Sequence, residues 1–331
     1  MELPPEAVER FRADLDRLQP DLEGDDRFGV AVSGGPDSLA LLLLAHAALP
    51  GRVVAATVDH GLRPESSNEA SFVANLCRSL GIDHETLRVE VGRGNLQDRA
   101  RAARYAALLR SFGMRRAGVF ATAHHADDQA ETVLMRLARG SGLEGLSGVR
   151  ARRVIVSDDP LCEYLLLRPL LGWRKSELAA IVEGAGIEPV RDPSNDDDRF
   201  DRVRVRRMLD ALPDLDPVAI ARSAEWLQDA GEVVADQVAT VLSLHVHQDG
   251  KAVWFYAGWP RIVEVEVVVD ILRRFGSEVS RTAAARLVLQ MRSVRHATLG
   301  GVRVRRALHR KHANTQVDAW LFEREGPRRS G

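Results

Sequence analysis

The sequence predicts an α/β chain: a doubly wound parallel sheet followed by a second, mainly helical C-terminal domain. Three observations predict it. Short apolar runs suited to buried strands alternate with helical stretches from residue 28 to residue 139. The first of these runs, residues 28–32, leads straight into Ser33-Gly34-Gly35-Pro36-Asp37-Ser38 and then a long apolar helix. Every cluster of chemically active residues, Ser33–Ser38, Asp59-His60 and His124-His125, also falls just after a strand. In a doubly wound sheet that is where ligands collect.

Taken in order, residues 5–18 place Val8, Phe11, Leu15 and Leu18 at helical spacing. Strand 28–32 follows, and a helix begins near Ser38, with Pro36 where a first turn accepts a residue without an N–H. Residues 52–58 are a second buried strand ending in Asp59-His60-Gly61-Leu62-Arg63. A helix over 65–80 stops at Gly81, and a third strand covers 85–91. A helix over 97–112 stops at Gly113, a fourth strand covers 119–123, and a helix over 127–139 stops at Gly140. Residues 154–156 and 165–167 flank the turn Ser157-Asp158-Asp159-Pro160 as a hairpin. A helix over 173–183, the loop Asp192-Pro193-Ser194-Asn195 and a basic helix over 199–212 complete the first domain, 1–212. Two prolines in 212–217 mark a linker. The helix 218–244 opens a second domain, 213–322, and the polar tail 323–331 is expected to be disordered.

Charge is balanced overall, 46 Lys and Arg against 47 Asp and Glu, so no global basic field is present. Its distribution is uneven. Residues 271–312 hold 11 Lys and Arg against the single Glu278, and residues 199–207 add five Arg. Clustered positive charge on a neutral chain is the footprint of a phosphate-backbone partner. Trp226, Trp254, Trp259 and Trp320 are able to stack on bases, but a core role is the expectation for most of them. Cys77 and Cys162 lie far apart with no CxxC, so neither a disulfide framework nor a zinc or iron–sulfur site is indicated. Two buried or inert thiols in a reducing compartment is the expectation. The acidic N-terminus lacks a signal-peptide pattern, and Leu39–Leu44 is too short to span a membrane, so a cytoplasmic protein without membrane association is expected. Oligomeric state is left open, a homodimer included.

The glycine pair in Ser33–Ser38 lets backbone approach a ligand, and a helix N-terminus follows, which together make a phosphate cradle. It is not a Walker loop, because no Gly-Lys-Ser/Thr follows. In Thr122–Thr132, a helix starting near Asp127 sets Asp128 and Glu131 one turn apart on one face. Two carboxylates there suit a cation, a metal or an amine, with the amine ranked first. First-turn acids also favour the helix dipole, which accounts for Asp127 and Asp128 but not for Glu131 or the paired histidines. Arg101, Arg104 and Tyr105 lie on one helix, where a solvated basic face is the ordinary reading.

These motifs together resemble the tRNA(Ile)-lysidine synthetases, a family of PP-loop ATP pyrophosphatases with a Rossmann-like sheet. The resemblance rests on SGGPDS (33–38), VDHGLR (58–63), ARAARY (100–105), TAHHADDQAET (122–132), RGSGLEGLSG (139–148), RPLL (168–171) and DPSN (192–195), collinear over about two-thirds of the chain. It implies an enzyme that uses ATP to adenylate the wobble cytidine of an isoleucine tRNA with a CAU anticodon. The ε-amine of free L-lysine then displaces AMP to give lysidine, which switches decoding from AUG to AUA.

Carried across, it implies ATP binding by Ser33, Gly34, Gly35, Pro36, Asp37 and Ser38, with Mg²⁺ near Asp37. Asp37, Arg104, Asp128 and Glu131 would be catalytic, with Asp128 and Glu131 also holding lysine. The tRNA would be held by Arg202, Arg204, Arg206, Arg303, Arg305 and Arg306. One departure stands out: the family commonly shows Arg-Asn before its next Arg, and here the run is Arg202-Val203-Arg204. Among rivals, a PP-loop tRNA thiolase is disfavoured by the missing CxxC, and an amidotransferase-coupled synthetase by the lack of an ammonia source. A nucleotide-binding sensor leaves the carboxylate pair and the basic C-terminal domain without a purpose.

Overall fold

The computed structural model describes residues 3–20, 22, 26–59, 66–89, 96–158, 161–190, 201–212, 214–312 and 315–325. The chain divides into two compact units, Met1–Gln228 and Asp229–Gly331.

The first unit opens with α1 (Pro5–Leu18), β1 (Phe28–Ala31), α2 (Pro36–Ala48), β2 (Val53–Asp59) and α3 (Ser66–Ser79). It continues with β3 (Asp83–Arg88), α4 (Leu96–Met114), β4 (Val119–Ala121) and α5 (Ala126–Ala138). After the short α6 (Leu143–Leu146) come the hairpin β5 (Arg152–Asp158) and β6 (Leu161–Leu167), then α7 (Lys175–Gly184) and α8 (Asp201–Asp210). The six strands form one sheet in the order β3-β2-β1-β4-β6-β5, parallel throughout except for the β5–β6 pair. The predicted doubly wound sheet is therefore present.

The order reverses at β1. The chain steps outward through β2 and β3, then returns to lay β4 on the other flank of β1. Right-handed crossovers put the helices on matching faces. Phe11, the run Leu39–Leu44, Val73, Cys77 and Trp173 share one core, so α1, α2 and α3 cover one face. Leu108, Leu109 and Phe112 of α4 meet Phe120 and Leu166 on the other. Helix α2 is apolar all round because it is buried all round, from Ser38 to Ala45 without a break. Gly29 in β1 has a packing reason: a Cβ there would sit 2.8 Å from the Phe120 Cβ and 2.9 Å from the Phe112 ring.

Several boundaries move. Helix α4 runs through Gly113 to Met114, and the left-handed turn after it is made by Arg116 at φ 60°. Cys77 is buried as expected, but Cys162 is exposed on β6 and not inert by burial. His60–Arg63 of VDHGLR and the whole of Asp192–Asn195 lie outside the described residues.

The expected linker is followed at once by α9 (Pro217–His245), and the division between units falls inside that helix. The second unit then holds β7 (Val246–Asp249), β8 (Ala252–Phe255), α10 (Arg261–Arg274), α11 (Arg281–Ser293), β9 (His296–Leu299), β10 (Val302–His312) and β11 (Thr315–Arg324). Its strands make an antiparallel sheet in the order β7-β8-β11-β10-β9. Helices α9, α10 and α11 supply the helical region expected after residue 212, and the antiparallel sheet beside them is the part not expected. The period-2 signal was present: Val302 and Val304 are buried while Arg303 is exposed and Arg305 half-buried, but the arginines masked the alternation. Glu323 and Arg324, expected in a disordered tail, belong to β11. No described helix is long and apolar enough to cross a membrane.

Candidate active site

Between β1 and α2 the chain makes a tight loop. The Val32 amide still donates to the Ala56 carbonyl at 2.9 Å, the last tie to the sheet. Gly34 then takes φ +88°, where a side chain would be strained and its Cβ would press on Val190 and Val73 at 3.3–3.4 Å. Ser38 knots the loop: its hydroxyl donates to the Gly35 carbonyl (3.0 Å), accepts from the Ser33 amide (3.1 Å) and meets the Ser33 hydroxyl (3.2 Å). Pro36 occupies the first turn of α2, and no side chain caps that helix. Its first-turn N–H groups are thus left for an anion, aided by the helix dipole.

The neighbouring strand β4 delivers a second helix start beside the first, because β1 and β4 are paired at the point where strand order reverses. Its N-cap is His125, only 3% exposed. The ring lies among three carboxylates: Nε2 is 3.5 Å from both Asp37 and Asp128, and Nδ1 is 3.6 Å from Asp127. Burial opposes its charge, yet the hydrogen-bonding carboxylates of Asp127 and Asp37, with the field of Asp128, raise its pKa to about 10. A neutral ring would accept the Asp128 amide on Nδ1 at 3.4 Å, a long bond. Three carboxylates outweigh that bond, so we take the ring as imidazolium.

Asp127 is tied down on several sides. Burial opposes its charge, but His125, the Lys175 amide at 2.8 Å and the Arg174 guanidinium at 3.4 Å hold its pKa down to about 2. Asp37 has one oxygen toward His125, while its buried Oδ1 has no hydrogen-bond partner. A buried carboxylate oxygen left unsatisfied in this way is costly unless a ligand completes it.

One turn along α5, Glu131 is 1% exposed. Its Oε1 accepts from the Arg206 Nε at 2.7 Å, and its buried Oε2 has no hydrogen-bond partner. Burial opposes the charge on Arg206, but the bond to Glu131 and the fields of Glu131, Asp128 and Asp210 raise its pKa. One expected lysine-binding acid and one expected tRNA-binding arginine therefore meet each other.

The structure thus brings together Ser33–Ser38, Asp37 and Asp128, with Glu131 and Arg206 adjacent on α5 and α8. Arg104 stands exposed on α4, outside this set of contacts. Arg202 and Arg204 are exposed on α8, and Val203, which replaces the family Asn, is buried at 7%. Arg303 and Arg305 both pair with Glu323, at 3.4 and 3.3 Å, and Arg306 pairs with Asp318. His125 is the residue whose role sequence reasoning missed. The paired histidines were visible, but the three carboxylates converge on one of them only in space.

A parallel sheet with a glycine loop and an uncapped helix at its switch point defines a PP-loop nucleotide-binding domain, and the family profile of that description matches residues 7–212. The tRNA(Ile)-lysidine synthase of Novosphingobium aromaticivorans is 42% identical over 98% of this chain and 95% of its own length. That of Zymomonas mobilis is 41% identical over 80% of this chain and 78% of its own. In fold, the chain is similar to the U34-tRNA thiolase of Methanococcus maripaludis, with TM-score 0.53 at 16% identity, over 67% of this chain and 80% of that one. The chain belongs to the tRNA(Ile)-lysidine synthase family of PP-loop, ATP-dependent ligases.

Proposed function

We propose that this protein joins free L-lysine to the wobble cytidine of a CAU-anticodon isoleucine tRNA, using ATP and releasing pyrophosphate and AMP, so that the tRNA reads AUA in place of AUG. The observation that carries this reading is the convergence of Asp37, Asp127 and Asp128 on His125 beside a phosphate loop. It joins a nucleotide site to an acidic site suited to an amine.

In the first step the ring oxygen of cytosine forms a bond to the α-phosphorus of ATP and the bond to pyrophosphate breaks. Loop N–H groups of Ser33–Ser38 and the start of α2 hold the phosphates in place. The partnerless Oδ1 of Asp37 fits a hard cation, which usually keeps one or two carboxylates, water and substrate phosphates as ligands. Mg²⁺ bound there supplies charge neutralisation of the phosphates. In the second step the lysine amine, held by Asp128 and Glu131, loses a proton and bonds to the activated ring carbon as the bond to AMP breaks. Arg104, carried on α4, is assigned to the departing adenylate phosphate. With Arg206 engaged by Glu131, the tRNA contacts on α8 narrow to Arg202 and Arg204, joined by Arg303, Arg305 and Arg306 on the second unit.

A sulfur-transfer reaction has less support, since Cys77 is buried with its thiol pushed up to about 12 and Cys162 lies on a different element. The test is incubation with ATP, lysine and an isoleucine tRNA transcript bearing CAU, followed by nucleoside mass analysis. The cytidine should gain the mass of a lysyl group only when all three are present. A nucleoside of unchanged mass, with folded protein and intact tRNA, overturns the proposal.

A further inference from the structure

Two motifs of the sequence, TAHHADDQAET (122–132) and RGSGLEGLSG (139–148), meet through one side chain. Gln129 of α5 is 2% exposed and stands between Asp128 and Glu131. Its Oε1 accepts from the Val149 amide at 2.6 Å, and its Nε2 donates to the Val149 carbonyl at 2.8 Å. The side-chain amide thus exchanges both bonds with one backbone residue, as a hydrogen-bonded pair does in an antiparallel ladder. Gly148 is fitted to this bridge: it takes φ +66°, and a Cβ there would run into the Gln129 amide.

The segment that Gln129 grips is itself held. Gln228 of α9 donates to the Ser147 and Val149 carbonyls at 2.7 and 3.2 Å. Two turns further along α5, Arg136 donates to the Gly145 and Gly148 carbonyls at 2.8 and 2.9 Å. Just beyond, the Ala151 carbonyl accepts from the Arg168 amide at 2.8 Å, which ties the segment to the end of β6. At 3.6 residues per turn, Gln129 lies about 200° around α5 from Glu131. The helix is therefore gripped on opposite sides, by Arg206 at Glu131 and by Val149 at Gln129. Releasing the second grip lets α5 roll, and Asp128 and Glu131 turn with it.

We propose that Gln129 is a positioning residue for the lysine reaction: its bridge to Val149 sets the roll of α5, and so the direction in which Asp128 and Glu131 present their carboxylates. The proposal rests on the lysine reading above and adds a residue to it that touches no substrate. The bridge needs a donor and an acceptor on one planar group, which an amide supplies and an ionised carboxylate does not. A protonated carboxyl supplies both again, and burial raises the pKa of such a group. The bridge can therefore be switched by pH in a Gln129→Glu variant, although wild-type Gln129 does not titrate.

Gln129→Met keeps the bulk of the side chain and loses both bonds. Its Val149 amide should exchange with deuterium faster than in wild type, with unchanged far-UV dichroism. Its kcat/KM for lysine should fall on the order of 10²-fold, the loss that a misplacement of about 1 Å brings. The KM for ATP, assigned to Ser33–Ser38, should stay the same. Gln129→Glu should show the same defect at about pH 8.5 and recover, as a ratio to wild type, by about tenfold toward pH 6 as the carboxyl takes up its proton. That reversal also shows that the variant chain is folded. Wild-type lysine kinetics in Gln129→Met, KM values for ATP and lysine that rise together, or a Gln129→Glu ratio that ignores pH overturns the proposal. Slow exchange at Val149 in Gln129→Met overturns it as well, by removing the bridge. A wild type that forms no lysidine fails the lysine reading itself and takes this proposal with it.

Discussion

His125 shows how a single side chain acquires its character from its neighbours. An isolated histidine loses its charge near pH 6.5; here burial works against the charge, and the carboxylates of Asp127, Asp37 and Asp128 raise its pKa to about 10. Because the folded value lies above the unfolded one, its stabilising contribution is complete below about pH 6.5 and is lost as pH rises through 10. Asp127 works in the opposite sense: its contribution is complete above its ordinary value of 3.8 and is lost as pH falls toward 2. The wild-type melting temperature should therefore decline between pH 6.5 and 10, and His125→Gln should flatten that decline. Equal slopes in the two proteins would show that the ring is uncharged. Asp37→Ala removes the partnerless buried oxygen of the loop together with one of the three carboxylates beside His125. AMP release dependent on lysine and tRNA should fall on the order of 10²–10³-fold with an unchanged fold. Near-normal AMP formation by that variant would take Asp37 out of the reaction.

Between elements, the tie of most consequence links α5 to α8 through Glu131 and Arg206. Glu131 is almost wholly buried while the Arg206 side chain is 33% exposed, so water screens one end of the pair. Arg206→Ala leaves a buried carboxylate alone, a loss of about 3–5 kcal/mol for a fully buried pair. With that screening, a cost of about 1–3 kcal/mol is expected in urea denaturation. Glu131→Gln keeps the volume and one hydrogen-bonding oxygen. It should raise the KM for lysine well above wild type while leaving the KM for ATP unchanged. If both constants are unchanged, the pair is only a clamp between helices.

For the molecule as a whole, the second unit concentrates positive charge on a β-hairpin. Arg303 and Arg305 share Glu323, so the pair carries an excess cation there. Exposed ion pairs of this kind contribute about 0–1 kcal/mol, little enough for a phosphate to displace the acid. Their alternation on β10 also separates Arg303 and Arg305 from Arg306, which lies at a position of opposite parity. Arg303→Gln with Arg305→Gln should raise the tRNA concentration needed. It should also flatten the dependence of affinity on salt by roughly 0.7–0.9 in log–log slope for each phosphate that is no longer neutralised. ATP binding should not change. Wild-type affinity and slope in that variant would confine these arginines to holding the hairpin together.

By itself the sequence determined the strand–helix alternation, the loop Ser33–Ser38 and the place of each motif after a strand. Those features are local: burial imposes a periodicity, and turns demand glycine or proline at particular steps. The same logic read Val302–His312 poorly, because charge on one face of a strand hides a two-residue period. Only the tertiary structure decided that Asp37 meets Asp127 and Asp128 at His125 and that Glu131 belongs to Arg206. Glu131 and Arg206 are 75 residues apart in sequence, and Asp37 starts one helix while His125 caps another. Nothing local encodes their meeting, which follows from β4 returning to pair with β1 and from side chains whose charge is settled by the neighbours that packing supplies.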